Sequence, residues 1–322
     1  MRGFYFFTLR RVIMKFGDKR FYSLNYYLRQ TFGCKVIKIS LDAGLTCPNR
    51  DGTLSYEGCI FCGAGSGDYA FSGRSVSEQF ELYRESIRKK WPNAKYIPYF
   101  QAYTNTYGDI ELLRNLYFEA LSLPDIVGIS IATRPDCLGP DILELLKEIS
   151  QKTTLFTELG FQTSNPQTAQ LINRCYDNNV FLSAVENLKK IGSNVVCHII
   201  LGLPYETEKD MIESVKYAVK AGIDGIKLHE LFVVKNTKLE KMYNEKCFET
   251  LSFDKYVSLV VKSLEILPKN IVIHRLTGDA PRELLISPRY SIKKFHILNA
   301  IDEHMERSNT YQSRLYEVEN YP

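Results

Sequence analysis

Cys47-Pro-Asn-Arg-Asp-Gly-Thr-Leu-Ser-Tyr-Glu-Gly-Cys59-Ile-Phe-Cys62 sets three thiols close together in a glycine-bearing stretch. Three soft ligands at this spacing read as a metal site. Disulfides are the first competitor, but no cleavable signal peptide precedes them, and in a reducing cytosol close cysteine sets are metal-binding or catalytic more often than cross-linked. A structural zinc site closes with four ligands, usually in two pairs, and here a single Cys-x-x-Cys pair exists. Cys34, the nearest further thiol, lies before the strand that leads into the loop. An iron-sulfur cluster held by three thiolates fits better, because its fourth iron stays open for a cofactor or substrate.

Just upstream, Lys35-Val-Ile-Lys-Ile-Ser-Leu41 is rich in β-branched residues and ends at Asp42-Ala-Gly44, so it predicts a core strand delivering the chain into the thiol loop. The C-terminal ends of strands are where active sites of α/β barrels collect. Beyond Cys62, Gly63-Ala-Gly-Ser-Gly67-Asp68 lets backbone amides approach a ligand closely, or forms a plain surface loop. Leu24, Tyr27, Leu28 and Phe32 recur at helical spacing and predict a short helix covering one end of the core. Residues 1–14 hold an apolar run followed by Arg10 and Arg11, too short to span a bilayer and unlike a signal peptide, and are expected to be a poorly anchored extension with Met14 the functional start.

Downstream, strand-like and helix-like segments alternate, the pattern of a parallel sheet with crossover helices. Expected strands at 96–100, 126–132, 154–159, 195–201 and 225–231 join the first to make six. Between them stand a capping box at Ser75 and Glu78, a proline at 140 suited to a first helical turn, and Asn165-Pro166 as cap and helix start. Polar residues fall at or near the strand ends: Arg134, Gln162, His198, Lys227 and His229. A random scatter would place half at the other end, so the clustering argues for one shared site. Individually, His198 and His229 could be core histidines, and Arg134 and Arg174 ion-pair partners. Residues 270–281 predict a further strand and turn, and 291–306 a helix whose Lys293, Lys294 and His296 form a solvated or RNA-facing side.

The 322 residues, 45% apolar, suffice for one α/β barrel or two smaller domains, and the formal charge of +4 permits an anionic partner without arguing for one. The cysteines outside the loop read as small buried hydrophobes. No Walker loop, dinucleotide fingerprint, nucleophile elbow or His-Glu-x-x-His motif occurs, which removes the commoner nucleotide and hydrolase classes.

These residues resemble the radical S-adenosylmethionine superfamily, and within it a bacterial group akin to the elongator catalytic subunit. The resemblance runs from residue 15 to about 305. It rests on the three-thiol loop, Tyr99-Phe-Gln-Ala-Tyr-Thr-Asn-Thr-Tyr107, Thr133-Arg-Pro-Asp136, Glu158-Leu-Gly-Phe-Gln162 and Ile200-Leu-Gly-Leu-Pro204. It implies an α/β fold, a partial (β/α)6 barrel over 15–250, with a short N-terminal extension (1–14) and a helical C-terminal extension (251–322) packed on it. It implies that Cys47, Cys59 and Cys62 hold a 4Fe-4S cluster whose open iron chelates S-adenosylmethionine, and that a 5′-deoxyadenosyl radical abstracts a hydrogen atom from the substrate. Phe61, Arg134, Glu158, Gln162, Arg174 and His198 match cofactor-contacting positions, while His198 replaces an acidic residue of some relatives and Cys175-Tyr176 stands where Gly-His is common.

By the same resemblance the substrate is the wobble uridine of transfer RNA, its 5-carboxymethylaminomethyl group processed toward aminomethyl. Tyr103, Asn105, Lys227 and His229 are then the substrate-side candidates, a flavodoxin- or ferredoxin-type protein the electron donor, and the cytoplasm the setting, with no membrane partner. Two alternatives stay open: radical chemistry on a protein or small metabolite, and a non-catalytic metal-binding adaptor for RNA or protein.

Overall fold

A computed structural model describes residues 14–63, 72–101 and 103–316. The extension up to residue 13 and the glycine-rich stretch after Gly63 lie outside the described residues. In chain order the elements are α1 (Leu24–Phe32), β1 (Val36–Leu41), α2 (Val76–Arg88), β2 (Lys95–Phe100), α3 (Ile110–Leu121), β3 (Gly128–Thr133) and α4 (Pro140–Lys152). They continue with β4 (Thr154–Gln162), α5 (Pro166–Leu171), α6 (Asn178–Lys190), β5 (Asn194–Leu201), α7 (Glu208–Lys220) and β6 (Gly225–Glu230). The last are β7 (Val233–Val234), α8 (Lys238–Asn244), α9 (Phe253–Ile266), β8 (Val272–Arg275), β9 (Leu285–Ser287) and α10 (Lys294–Arg307).

Seven strands form one parallel sheet in the order β1-β2-β3-β4-β5-β6-β8. The six expected strands are all there, and the seventh comes from beyond residue 250, at the further strand read in residues 270–281. The helix starts follow their local chemistry: Ser75 and Glu78 close a capping box on α2, Pro140 opens α4, and Asn165 caps α5. Neighbouring strands lie about 4.8 Å apart, so β1 and β6 would be some 24 Å apart in a flat sheet. Yet Lys38 on β1 and Lys227 on β6 both ion-pair with Glu158 on β4. The sheet is therefore curled into a half barrel.

Outside the curl, the helices bury a continuous apolar layer against the strands, including Leu41, Phe100, Ile131, Leu159, Ile199 and Leu228. Inside, the bottom is filled by Val36, Ile97, Phe156 and Val196, on which Leu28 of α1 packs. The helix read as a cover for one end of the core does that. Just before it, Ile273 of β8 donates its amide to Tyr22 O at 2.8 Å, so the chain's beginning pairs with its last sheet strand. Gln312, fully buried, fixes the same corner: Oε1 accepts from Tyr22 N at 2.8 Å, and Nε2 donates to Pro268 O at 2.7 Å and Ile271 O at 2.9 Å. No helix among the described residues is long and apolar enough to cross a membrane.

Candidate active site

Above the apolar floor, inward-facing residues build a layer of charge. Glu158 is fully buried and accepts hydrogen bonds from Lys38 Nζ at 2.6 Å and Ser130 Oγ at 2.8 Å, lies 2.7 Å from His198 Nε2, and pairs with Lys227. Lys227 Nζ also donates to Tyr99 Oη at 3.0 Å. Burial alone would raise the Glu158 carboxyl, but Lys227 and Lys38, with the His198 bond, hold it well below the usual carboxylate range. Burial lowers Lys227 to about 7, against the pull of Glu158, and lowers His198 to about 4, with Lys227 adding to the effect. The His198 imidazole is thus neutral near neutral pH, Lys227 exchanges its proton there, and Lys38 and Lys227 share one carboxylate.

A cavity of about 480 Å³ opens above this layer at the C-terminal ends of the strands. Cys47, Cys59, Cys62, Phe61, Tyr103, Arg134, Glu158, Gln162, His198, Lys227 and His229 all line it. The thiol loop is pinned from both sides. Ile60 N donates to Ile172 O at 3.2 Å and Leu239 N to Ile60 O at 3.0 Å, while Asn173 Nδ2 donates to Gly58 O at 2.8 Å. Ile60 packs with Leu203, Leu231, Val233 and Leu239, so β7 and α8 wall the loop from outside.

The donor set fits an iron-sulfur cluster. Asn49 Nδ2 points at Cys59 Sγ and Arg50 Nη1 at Cys62 Sγ, each at 3.6 Å, as N–H donors to cluster thiolates do. Burial pushes the Cys59 thiol up to about 12 and raises Cys62 too, against the opposing pull of Arg50, so thiolates here need a cation to offset their charge. Among the described residues, no three His, Cys, Asp or Glu side chains converge tightly enough for a single ion. A cubane binds each thiolate through a different iron and so takes more widely spaced thiols. Across the cavity, Gln162 sits at φ +67° after an irregularity in the β4–β5 register, and its Oε1 is buried with no hydrogen-bond partner among the described residues. A Cβ on Gly160 would meet the Gln162 amide nitrogen at 2.7 Å, so glycine there lets that side chain lie across the strand. His229 Nε2 is likewise buried and unpartnered. Two orphaned polar atoms in one cavity mark where a polar ligand belongs.

Two of the expected site residues stand elsewhere. Asn105 is fully buried and does not line the cavity; its Nδ2 donates to Ala132 O at 3.0 Å, tying the 101–107 loop to β3. Arg174 is also outside the cavity lining. Its guanidinium donates to Tyr176 O at 3.0 and 2.9 Å, Phe161 O at 3.0 Å, Thr163 O at 2.6 Å and Asn178 Oδ1 at 2.9 Å, which engages all five donors inside the protein. Arg134 does line the cavity, but its guanidinium grips Asp136 through two bonds, at 2.9 and 2.6 Å, and donates to Arg174 O at 2.9 Å. Sequence reasoning missed Lys38, Asn49, Arg50 and Arg275 as site residues. For Lys38 a signal existed, since a lysine inside a β-branched strand is rarely buried without a partner.

A family model described as the radical SAM superfamily matches residues 47–218, and one for the radical SAM C-terminal domain matches 223–307. Protein YtqA of Bacillus subtilis is 45% identical over 302 residues, covering 93% of this chain and 94% of its own. A tRNA uridine(34) acetyltransferase of Methanocaldococcus infernus is 24% identical over 185 residues, 56% of this chain and 33% of the relative. Among solved structures, the archaeal Methanocaldococcus infernus Elp3 lacking its N-terminus superposes with a TM-score of 0.67 at 16% identity, over 86% of this chain. The present chain spans 64% of that one, just under two thirds.

Proposed function

The chain belongs to the radical SAM superfamily, and from that membership we propose that it acts in the cytoplasm on the wobble uridine of transfer RNA, processing a 5-carboxymethylaminomethyl group toward aminomethyl. It is a radical SAM enzyme, with a 4Fe-4S cluster and S-adenosylmethionine as cofactors. The observation that carries the substrate reading is the match to a tRNA uridine(34) acetyltransferase across 56% of this chain. Since that match takes in 33% of the relative, the acetyl transfer is not carried over with it.

When bound, the cluster and S-adenosylmethionine supply a hydrogen-abstracting carbon radical. In our reading Cys47, Cys59 and Cys62 hold the cluster, with Asn49 and Arg50 donating to the thiolates. Phe61 would lie against the adenine, the unpartnered Gln162 Oε1 would accept from the cofactor, and His198, oriented by Glu158, would serve its ribose. Arg134 shapes the rim through Asp136. Tyr103, Lys227 and His229 face the substrate and fix the target carbon within reach of the cofactor. A flavodoxin- or ferredoxin-type protein supplies the electron.

The test is nucleoside analysis of transfer RNA from a strain lacking the gene, with purified reconstituted enzyme added back in vitro. Carboxymethylaminomethyluridine is expected to accumulate at the wobble position and to be consumed on add-back. An unchanged wobble-uridine profile overturns the tRNA reading while leaving the radical SAM assignment intact.

A further inference from the structure

Four cations in and beside the inner wall share two carboxylates. Lys38 and Lys227 share Glu158, at 2.6 Å in the case of Lys38. Arg275 and Lys294 share Asp279, at 3.7 and 2.9 Å. Glu230, a third carboxylate lining the cavity, accepts from Thr277 Oγ1 and Gly278 N, each at 2.9 Å, and makes no ion pair among the described residues. Lys227 and Arg275 are register partners on β6 and β8. His229 follows Lys227 by two residues on the same face of β6, and all three line the cavity. Arg275 meets Asp279 only beyond hydrogen-bond distance, and His229 Nε2 is buried with no partner among the described residues. Lys227 is 5% exposed and Arg275 32%, so a buried ammonium, a partly solvated guanidinium and an unused imidazole face one cavity, an arrangement that favours an anion there.

We propose that Lys227, His229 and Arg275 form an anion subsite that holds a carboxylate of the substrate. The guanidinium offers paired N–H donors, the ammonium a point charge, and the neutral imidazole one further N–H through Nε2. Identifying that carboxylate with the terminus of the 5-carboxymethylaminomethyl group rests on the substrate reading above. The subsite explains why a charged substituent is accepted deep in the cavity: its charge completes the wall.

The test uses cluster-loaded, S-adenosylmethionine-bound protein and two probes: N-benzylglycine, which reproduces an aryl-CH2-NH-CH2-carboxylate, and its primary amide, which keeps the amine and lacks the carboxylate. Binding is read by calorimetry and by thermal shift. The acid is expected to bind at least tenfold more tightly than the amide, and Arg275→Gln and His229→Gln to erase most of that discrimination. Equal binding of acid and amide overturns the proposal, as does discrimination that survives in both variants. Competition between the acid and S-adenosylmethionine also overturns it, since the wall would then serve the cofactor. The two readings fail separately. Discrimination with an unchanged wobble-uridine profile leaves the subsite and removes the tRNA assignment; a changed profile with no discrimination does the reverse.

Discussion

Lys38 Nζ donates to Glu158 Oε1 at 2.6 Å across the inside of the curled sheet, tying the first strand to the fourth. Glu158 is the common partner of Lys38, Lys227 and His198. Replacing it with glutamine leaves two buried ammonium groups without a counter-charge. Glu158→Gln is expected to cost about 3–5 kcal/mol of stability in the apo-protein. Urea unfolding checks this, and an unchanged midpoint would show that the strut carries no weight.

Stability should fall with pH in two stages. His198 is held at about 4 in the folded chain, chiefly by burial, against 6.5 for the free side chain. As pH falls through 6.5 the unfolded chain takes up that proton first, so the stability associated with the neutral imidazole is lost between 6.5 and about 4. Its upper limit is about 3 kcal/mol. Glu158, depressed below the usual carboxylate range, loses its contribution in turn at lower pH. His198→Asn is expected to reduce the slope of the upper stage, to which the buried His229 and His274 also contribute, measured by urea midpoints of apo-protein across pH 4 to 7. A pH slope identical to wild type refutes the assignment.

The loop thiols differ from their neighbour. Cys175 Sγ lies 3.1 Å from Asn49 Oδ1, the same side chain that donates to Cys59 Sγ, so a fourth thiol stands close to the set. Cys62→Ala is expected to abolish the visible absorption of the reconstituted cluster and reductive cleavage of S-adenosylmethionine. Cys175→Ser should retain the absorption. Iron analysis and spectra of both proteins decide the matter, and loss of the cluster in Cys175→Ser would make that residue a ligand.

Gln162 and Arg174 should separate binding from folding. Gln162→Leu keeps the side chain's bulk and removes the unpartnered amide oxygen, so S-adenosylmethionine affinity should drop about tenfold with unchanged iron content. Arg174→Gln strips donors from the carbonyls of Phe161, Thr163 and Tyr176 and should cost about 2–4 kcal/mol in unfolding. If instead Arg174→Gln weakens cofactor binding at unchanged stability, the side chain reaches the cavity after all.

The strands and helix starts were readable because their causes are local: β-branched runs, the Ser75–Glu78 box, and prolines at 140 and 166. So was the thiol loop, whose spacing is its own signature. Lys227, His198 and Glu158 were legible one by one, but the charge layer was not, for Lys38 and Lys227 come to share Glu158 only after the sheet curls and brings distant strands around one carboxylate. Asn105 and Arg174 show a second limit. A polar residue near a strand end can serve a ligand or quench loop carbonyls, and the pattern along the chain is the same for both. The β7–β9 pair is too short for alternation to register at all.

The corner where Tyr22 meets Ile273 and Gln312 has a consequence for the order of synthesis. A ribosome releases the three thiols early, long before β8 and Gln312 emerge. The loop-closure entropy of joining such distant residues is met only once nearly the whole chain is available. The cysteine loop therefore spends its first moments without the wall that later encloses it, and a chain cut short of residue 272 keeps its thiols but lacks both the Arg275 side of the cavity and the seam that shuts the barrel's base.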